Sequence, residues 1–250
     1  MFQRKCIVLW VLTTAGAALT LAGGARINLE WRPLEQTVGV GAPVRIGLYA
    51  VCNPGETQLF RAADVVFAWD PNCLQFLGID NTGAVPLLSS TLPANDPYHL
   101  NGPTVPPTDG DGYYLAWAHL GNPLIITDQG SLLTTFRFTA LTPTPATLVT
   151  IPPFGGNPVL NTRVFGGQEA GQIVTGSLGT ASVSIRVCGN NDFDSDGDVD
   201  LHDVAAFQLC YTGPGVPAAP ACACVFDTDN DGDLDSIDFA NLISSVTGPL

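Results

Sequence analysis

Two short stretches of the chain concentrate carboxylates at a regular spacing. Residues 192–203 are DFDSDGDVDLHD and residues 227–238 are DTDNDGDLDSID. Each stretch has Asp at its first, third, fifth, ninth and twelfth positions and Gly at its sixth. This spacing is typical of calcium-binding EF-hand loops, in which the Gly allows the sharp turn that brings the oxygen ligands together. The sequence therefore predicts two sites for Ca²⁺.

The two loops belong to a repeated unit. An offset of 35 aligns residues 192–214 with residues 227–249, and 11 of the 23 aligned positions are identical, which indicates an internal duplication. Carboxylates crowded in this way repel one another unless a cation neutralises them. A solvated acidic tail is the alternative interpretation, but such a tail would have no reason to keep Gly at the sixth place in both copies.

Apolar residues at helical spacing follow each loop. They recur at i, i+3 and i+7 in both copies, as Val204, Phe207 and Tyr211 and as Phe239, Leu242 and Val246. The last Asp of each loop then lies in a first helical turn, where negative charge is favoured. The pattern predicts two short amphipathic helices that bury these faces against each other, each ended by Thr-Gly-Pro.

A pair of calcium loops with one helix after each loop resembles a type I dockerin, over residues 190–249. The resemblance implies a small all-α module that binds two Ca²⁺ ions and docks onto another protein. The position-seven residues, Asp198 and Asp233, would act through their backbone carbonyls. The full set of implied ligands is Asp192, Asp194, Asp196, Asp198, Asp200, Asp203, Asp227, Asp229, Asp231, Asp233, Asp235 and Asp238.

The resemblance also implies where the partner protein is recognised. The two residues before the last ligand would contact it, namely Leu201 and His202 in the first copy and Ser236 and Ile237 in the second. Because the pairs differ, the two copies are not expected to be interchangeable. Thrombospondin-type calcium repeats also contain Asp-rich loops, but they lack the apolar helices.

The preceding part of the chain alternates apolar and polar residues with period two, as half-buried strands do. The clearest runs are VRIGLYAV (44–51), TTFRFTA (134–140) and ASVSIRV (181–187), with the first residue and every second one after it on the inner face. Turn residues separate the strands, which predicts a mainly β structure with a β-sandwich. Two Pro/Gly-rich stretches, 86–112 and 143–158, are predicted to be long surface loops.

Three of these stretches resemble cohesin domains. QTVGVGAPVRIGLYAV (36–51), ADVVFAWDPNCLQFLGID (63–80) and GSLLTTFRFTAL (130–141) are similar, in this order, to the opening strand, an Asp-Pro corner and a later strand of that family. The resemblance implies a jelly-roll sandwich that is related in fold to certain cellulose-binding modules.

Charge divides the chain and excludes some partners. The net charge is −14, so nucleic acid and anionic membranes are poor partners. Residues 188–250 contain twelve Asp and no Lys or Arg. This asymmetry predicts two modules, a sandwich over residues 26–187 and a calcium-binding module over residues 188–250.

The first 25 residues are typical of an export signal. Arg4 and Lys5 precede an apolar run over residues 6–21, and small residues suit cleavage after Ala25. The run is interrupted by Thr and Gly, and no stop-transfer charges follow it, so we expect secretion to the exterior or the cell surface and no membrane insertion.

Six cysteines follow the predicted signal, at positions 52, 73, 188, 210, 222 and 224. An even number in an exported chain predicts disulfides. We expect Cys52 to pair with Cys73 and the other four to pair among themselves, in a connectivity that the sequence leaves open. A zinc site formed by the last four is the alternative, although their spacing is unusual for zinc ligands.

Taken together, the patterns predict a non-enzymatic secreted assembly protein. Its cohesin-like module would receive a partner's docking module and is called the socket, and its calcium-dependent module would dock onto a partner and is called the plug. Its partners would be cohesin- or dockerin-bearing proteins, in complexes that bind or break down polysaccharide. The alternative is a carbohydrate-binding module whose aromatic residues stack on sugars, with Trp31, Trp69, Tyr113, Tyr114 and Trp117 as candidates. Catalysis is the third hypothesis, but nothing pairs the carboxylates that a glycosidase needs, and His99, His119 and His202 form no nucleophile-base pattern.

Overall fold

The computed structural model describes residues 24–101, 106–119, 121–169, 171–194 and 196–248. Apart from Gly24 and Ala25, the predicted export signal lies outside the described residues. Within these ranges, fifteen β-strands precede three α-helices. None of the described helices combines the length and the apolar character that are needed to cross a membrane.

The strands are β1 Ile27–Arg32, β2 Glu35–Gly39, β3 Pro43–Val51, β4 Gln58–Ala68, β5 Leu74–Asp80, β6 Ser89–Thr91, β7 Asp111–Trp117, β8 Leu124–Ile126, β9 Ser131–Ala140, β10 Thr144–Thr150, β11 Phe154–Gly155, β12 Leu160–Asn161, β13 Arg163–Gly166, β14 Thr175–Leu178 and β15 Thr180–Arg186. The helices are α1 Leu201–Cys210, α2 Pro220–Phe226 and α3 Ser236–Ser244.

Two sheets form a sandwich, which confirms the mainly β prediction. One sheet has the strand order β14-β1-β3-β9-β5. The other has the order β2-β15-β10-β4-β7-β6, and β8 and β13 also pair with β4. Most neighbours are antiparallel, but β1 with β14 and β2 with β15 are parallel. The short pair β11-β12 forms a separate ribbon.

The alternating residues of the sequence form the core between the sheets. The inner faces predicted for β3 and β9 are fully buried, and so are the first three predicted positions of β15. Val187, the last position predicted to face inward, is exposed because β15 ends at Arg186. Phe136 lies at the centre, with its ring 4.7 Å from Phe67 and 5.0 Å from Trp31.

The prediction of a long loop over residues 143–158 is wrong, because most of this stretch forms β10 and β11. Thr147 and Val149 of β10 are buried and pair with β15. Pro145, which led to the loop prediction, lies where the register shifts between Thr144 and Thr147. A proline is tolerated there because its missing N–H removes no ladder hydrogen bond.

The other predicted loop, residues 86–112, is largely irregular in its described part and packs on the outer face of the larger sheet. Leu100 forms a small second core with Val66, Tyr113 and Leu160. The buried Asn101 fixes the loop, because its side chain accepts from the Tyr113 amide at 2.7 Å and donates to the Tyr113 carbonyl at 3.1 Å.

The predicted pairing of Cys52 with Cys73 is wrong, since both are free cysteines. They lie at opposite ends of β9, where Ala50 pairs with Ser131 and Leu74 pairs with Ala140. Strand β9 has ten residues, so the two cysteines are separated by roughly 30 Å along the sheet. A disulfide requires Cα atoms within about 7 Å of each other.

Helices α1 and α3 begin at the ends of the Asp-rich loops, as predicted, and α2 lies between them without having been predicted. Phe207 of α1 and Leu242 of α3 are buried in one core with Val225 and Phe226 of α2. The predicted helical faces are shorter than expected, because Tyr211 and Val246 lie beyond the ends of α1 and α3. Tyr211 and Phe239, which were predicted to be buried, are exposed. The buried residues of α1 and α3 therefore pack against α2 as well as against each other.

Candidate functional site

The first Asp-rich loop is folded around its own carboxylates. Asp192 accepts a hydrogen bond from the amide of Gly197 at 3.1 Å. Asp203, which is 1% exposed, accepts from the amides of Phe193 and Asp200. Gly197 has φ of +100°, a conformation that favours glycine. The sixth-position Gly therefore makes the turn that the sequence predicted.

The second loop repeats this geometry. Asp227 accepts from the amides of Asp231 at 3.2 Å and Gly232 at 3.1 Å. Asp238, which is fully buried, accepts from the amides of Thr228 at 2.9 Å and Asp235 at 3.1 Å. Because the two loops fold alike, any ligand that suits one is expected to suit the other.

Carboxylates converge in both loops. Four triads each bring three carboxylate oxygens within 4.8 Å of one another, and these are Asp192, Asp194 and Asp203; Asp198, Asp200 and Asp203; Asp227, Asp229 and Asp238; and Asp233, Asp235 and Asp238. The last Asp of each loop belongs to both triads of that loop. Oxygens bound to one Ca²⁺ at about 2.3–2.6 Å can be at most about 5 Å apart, so these clusters could hold a metal ion.

Unpaired oxygens support this interpretation. One carboxylate oxygen on each of Asp192, Asp198 and Asp233 is buried and has no hydrogen-bond partner among the described residues. Asp192 is 9% exposed, and a buried carboxylate oxygen without a partner is costly. A hard divalent cation would satisfy this oxygen together with the converging triads, so the donor set fits Ca²⁺.

Burial and mutual repulsion disfavour the ionised form of several carboxylates in the two loops. Burial raises the pKa of Asp194, and the neighbouring carboxylates Asp196 and Asp203 raise it further. The pKa values of Asp198 and Asp229 are raised in the same way, first by desolvation and then by like charges. A bound cation would offset both causes, because an opposite charge nearby stabilises the ionised form.

The loops are joined directly to the helices. Asp200 caps α1 by accepting from the amide of His202 at 2.7 Å, and Asp235 caps α3 by accepting from Ile237 at 2.7 Å. The four residues predicted to contact a partner protein lie in these first helical turns and are exposed. They are Leu201, His202, Ser236 and Ile237. Metal binding in the loops and the orientation of these residues therefore depend on the same backbone.

The two copies also hold each other in place, a contact that was not predicted. Thr247 donates to the carbonyl of Val199 at 2.9 Å, and the Val199 amide donates to the Thr247 hydroxyl at 3.1 Å. Thr212 and Leu234 make the equivalent pair at 3.1 and 3.0 Å. The repeated Thr-Gly-Pro thus reaches the eighth position of the opposite loop. The Thr-Gly-Pro that both copies share was the available signal in the sequence.

The last four cysteines form disulfides, as expected, with Cys188 bonded to Cys224 and Cys210 bonded to Cys222. The zinc alternative is excluded for these residues, since their thiolates are consumed. Disulfides of this kind persist in oxidising compartments.

Most of the aromatic residues proposed for sugar stacking are in the interior. Trp31, Trp69, Tyr113 and Tyr114 are buried, whereas Trp117 is 48% exposed. The buried four cannot form a platform on the surface, so the carbohydrate-binding alternative loses most of its candidate residues.

The exposed Trp117 belongs to a row on the outer face of the larger sheet. It pairs with Ala62 of β4, and Ala62 pairs with Phe165 of β13. The next row contains Leu115, which is partly buried, Asp64 and the exposed Arg163. We call these six residues the β4–β7–β13 face. It combines apolar side chains with one basic and one acidic group, and the acidic group accepts from the Tyr113 hydroxyl at 2.7 Å.

No protein-family model and no curated protein matches this chain. Among solved structures, it is similar to a cohesin module from a family 33 glycoside hydrolase of Clostridium perfringens, at 15% identity and a TM-score of 0.45, covering 65% of this chain and 98% of that one. The seventh ScaB type I cohesin of Pseudobacteroides cellulosolvens matches at 11% identity and a TM-score of 0.44, covering 65% and 93%. A chain of a type I cohesin–dockerin complex from Clostridium thermocellum matches at 11% identity and a TM-score of 0.44, covering 65% and 99%. At these identities the likeness concerns the fold alone.

Proposed function

We propose that this chain is a non-enzymatic, secreted assembly protein. Its residues 188–250 act as a dockerin-like plug that binds two Ca²⁺ ions, and its residues 26–187 act as a cohesin-like socket. Its partners are proteins that carry the complementary cohesin or dockerin module, in extracellular complexes that bind or break down polysaccharide. The two disulfides support the extracellular location.

One observation carries the proposal. The two loops bring ten of their twelve aspartates into triads of converging carboxylates, and a buried oxygen of Asp192 lacks a hydrogen-bond partner in the described part of the chain. An arrangement of this kind is costly without a cation. Calcium would offset the cost and fix the first turns of α1 and α3, where Leu201 and Ile237 are exposed.

The ligand roles follow from the position of each residue in its loop. We assign side-chain ligation to the aspartates at positions one, three, five, nine and twelve, and backbone ligation to Asp198 and Asp233. Asp196 and Asp231 each accept from the amide two residues later, at 3.2 and 3.1 Å, which orients them within the loop. Calcium itself supplies charge neutralisation, while the residues of the chain position the docking helices.

The β4–β7–β13 face is the surface that we assign to the socket. Trp residues dominate the binding energy of many interfaces, and an apolar row that ends in an exposed Trp suits a helical plug. Asp64 and Arg163 give this face one acidic and one basic group that can pair with polar or charged groups on the partner.

We expect Trp117→Ala to weaken capture of a dockerin-bearing partner by about ten-fold to a hundred-fold. Calcium uptake should not change, because Trp117 is far in sequence from the loops and lies on the sandwich. Biolayer interferometry with the captured partner would measure the effect. Phe154→Ala is the matched control, since Phe154 is exposed on the β11-β12 ribbon. Equal losses in both variants would contradict the assignment of this face.

The function is tested by capture from the secreted proteins of the source organism. The full-length protein is immobilised, and captured proteins are identified by mass spectrometry in calcium and in chelator. The proposal predicts capture of proteins with cohesin or dockerin sequences in calcium only. Capture that is the same in chelator, or capture of polysaccharide without protein, would contradict it.

A further inference from the structure

The two loops differ at their second position and in what surrounds it. In the first loop this residue is Phe193, whose ring stacks on Phe226 with centroids 5.5 Å apart. In the second loop it is Thr228, whose hydroxyl donates to Asp238 at 3.2 Å and accepts from Asn241 at 2.7 Å. Similar carboxylates therefore lie in unlike surroundings.

The ring of Phe193 also contacts Arg186, the last residue of β15. The guanidinium carbon lies 3.9 Å from the ring centroid, which is within the range of a cation–π interaction. One terminal nitrogen of Arg186 is buried and has no hydrogen-bond partner in the described ranges. The backbone of Arg186 pairs with Gly39, and its carbonyl accepts from Val40 at 2.9 Å, so the sandwich fixes its position.

The junction that follows Arg186 is short and closed. Cys188, two residues later, is bonded to Cys224 of α2, and a Cβ atom at Gly39 would overlap both sulfur atoms. The amide of Gly189 donates to the carbonyl of Cys224 at 2.6 Å. These contacts hold the end of β15 against α2, whose Phe226 stacks on Phe193 of the first loop. Arg186 cannot move away from that loop without breaking them.

The guanidinium of Arg186 lies beside the first loop, over the ring of Phe193, which stands between Asp192 and Asp194 in the sequence. Burial lowers the pKa of Arg186, and the carboxylates of Asp194, Asp192 and Asp203 oppose this change. The chain has no Lys or Arg after residue 186. Among the described residues, no guanidinium stacks on the second loop.

We infer that Arg186 is a built-in cation that opposes metal binding at the first loop and makes the two loops unequal. An entering Ca²⁺ meets a positive charge that is held in place over Phe193, beside Asp192 and Asp194, and like charges repel. The second loop meets no such charge, so it binds its ion first and more tightly. This inference rests on the proposed binding of calcium by both loops.

The test is a calcium titration of the full-length, disulfide-bonded protein by isothermal titration calorimetry. We expect two separable steps. Arg186→Gln should strengthen the weaker step by on the order of ten-fold and leave the tighter step unchanged. Arg186→Lys keeps the charge and should retain the weak step, while Arg26→Gln removes an exposed charge elsewhere and should change neither constant.

One substitution in each loop shows which loop gives which of the two calcium-binding steps. Asp192→Asn should remove the weaker step and Asp227→Asn the tighter one, with circular dichroism in saturating calcium reporting whether each variant is folded. Two equal steps in the wild type, or an Arg186→Gln titration that matches the wild type, would overturn the inference but not the proposed function. Absence of calcium uptake would overturn both.

Discussion

Calcium uptake should fall by about a hundred-fold or more at both sites when Asp192 and Asp227 are changed to Asn together. Asp192 has one oxygen bonded to the Gly197 amide and one buried oxygen without a partner among the described residues. An Asn side chain can keep the first bond, but it removes the charge that the second oxygen offers to a cation. Because the loops also cap α1 and α3, partner binding should be lost with the metal.

The effect of this double substitution is measured by calorimetry with calcium and by capture of the partner. Neutralising two exposed acidic residues outside the loops, with Asp109→Asn and Glu35→Gln, changes the net charge by the same amount. This control should bind calcium and partner as the wild type does. If the two double variants behave alike, the effect comes from overall charge and the loop assignment fails.

The second large effect is expected in the sandwich core. Phe136 is fully buried and its ring is within 6 Å of four aromatic rings, those of Trp31, Phe67, Phe76 and Tyr114. Phe136→Ala should lower the free energy of unfolding by about 3–5 kcal/mol, because it removes apolar contacts and leaves a cavity. Guanidinium unfolding in saturating calcium, followed by tryptophan fluorescence, would measure the change.

The matched surface control for Phe136 is Leu148→Ala. Leu148 lies on β10 and is exposed, so this change should cost less than about 0.5 kcal/mol. A cost below about 1 kcal/mol for Phe136→Ala would show that the two sheets do not depend on this aromatic centre.

The strands of the sandwich were predictable where one face alternates strictly. In β3 and β9 every second residue is buried, and period-two burial is a local property of the sequence. Strand β10 was missed because Pro145 interrupts the pattern, and only the register shift against β15 shows how the sheet accommodates it. Such accommodation depends on the partner strand, which local sequence does not reveal.

The turns of the Asp-rich loops were predictable because the spacing of Asp and Gly within twelve residues is a local feature of the sequence. The contacts between the copies were not, since they join residues far apart in the chain, as Thr247 joins Val199. The seven-residue α2 was missed because it is short and has no strong periodicity. The pairing of Cys52 with Cys73 failed for a related reason, since an even count of cysteines contains no information on distance.

The most direct test of the account is a calcium titration of the chelated, disulfide-bonded wild-type protein, followed by calorimetry and far-ultraviolet circular dichroism together. The account predicts uptake of about two equivalents, with a gain in helical signal as α1 and α3 become ordered. Uptake of less than one equivalent, or a helical signal that is already complete in chelator, would contradict it.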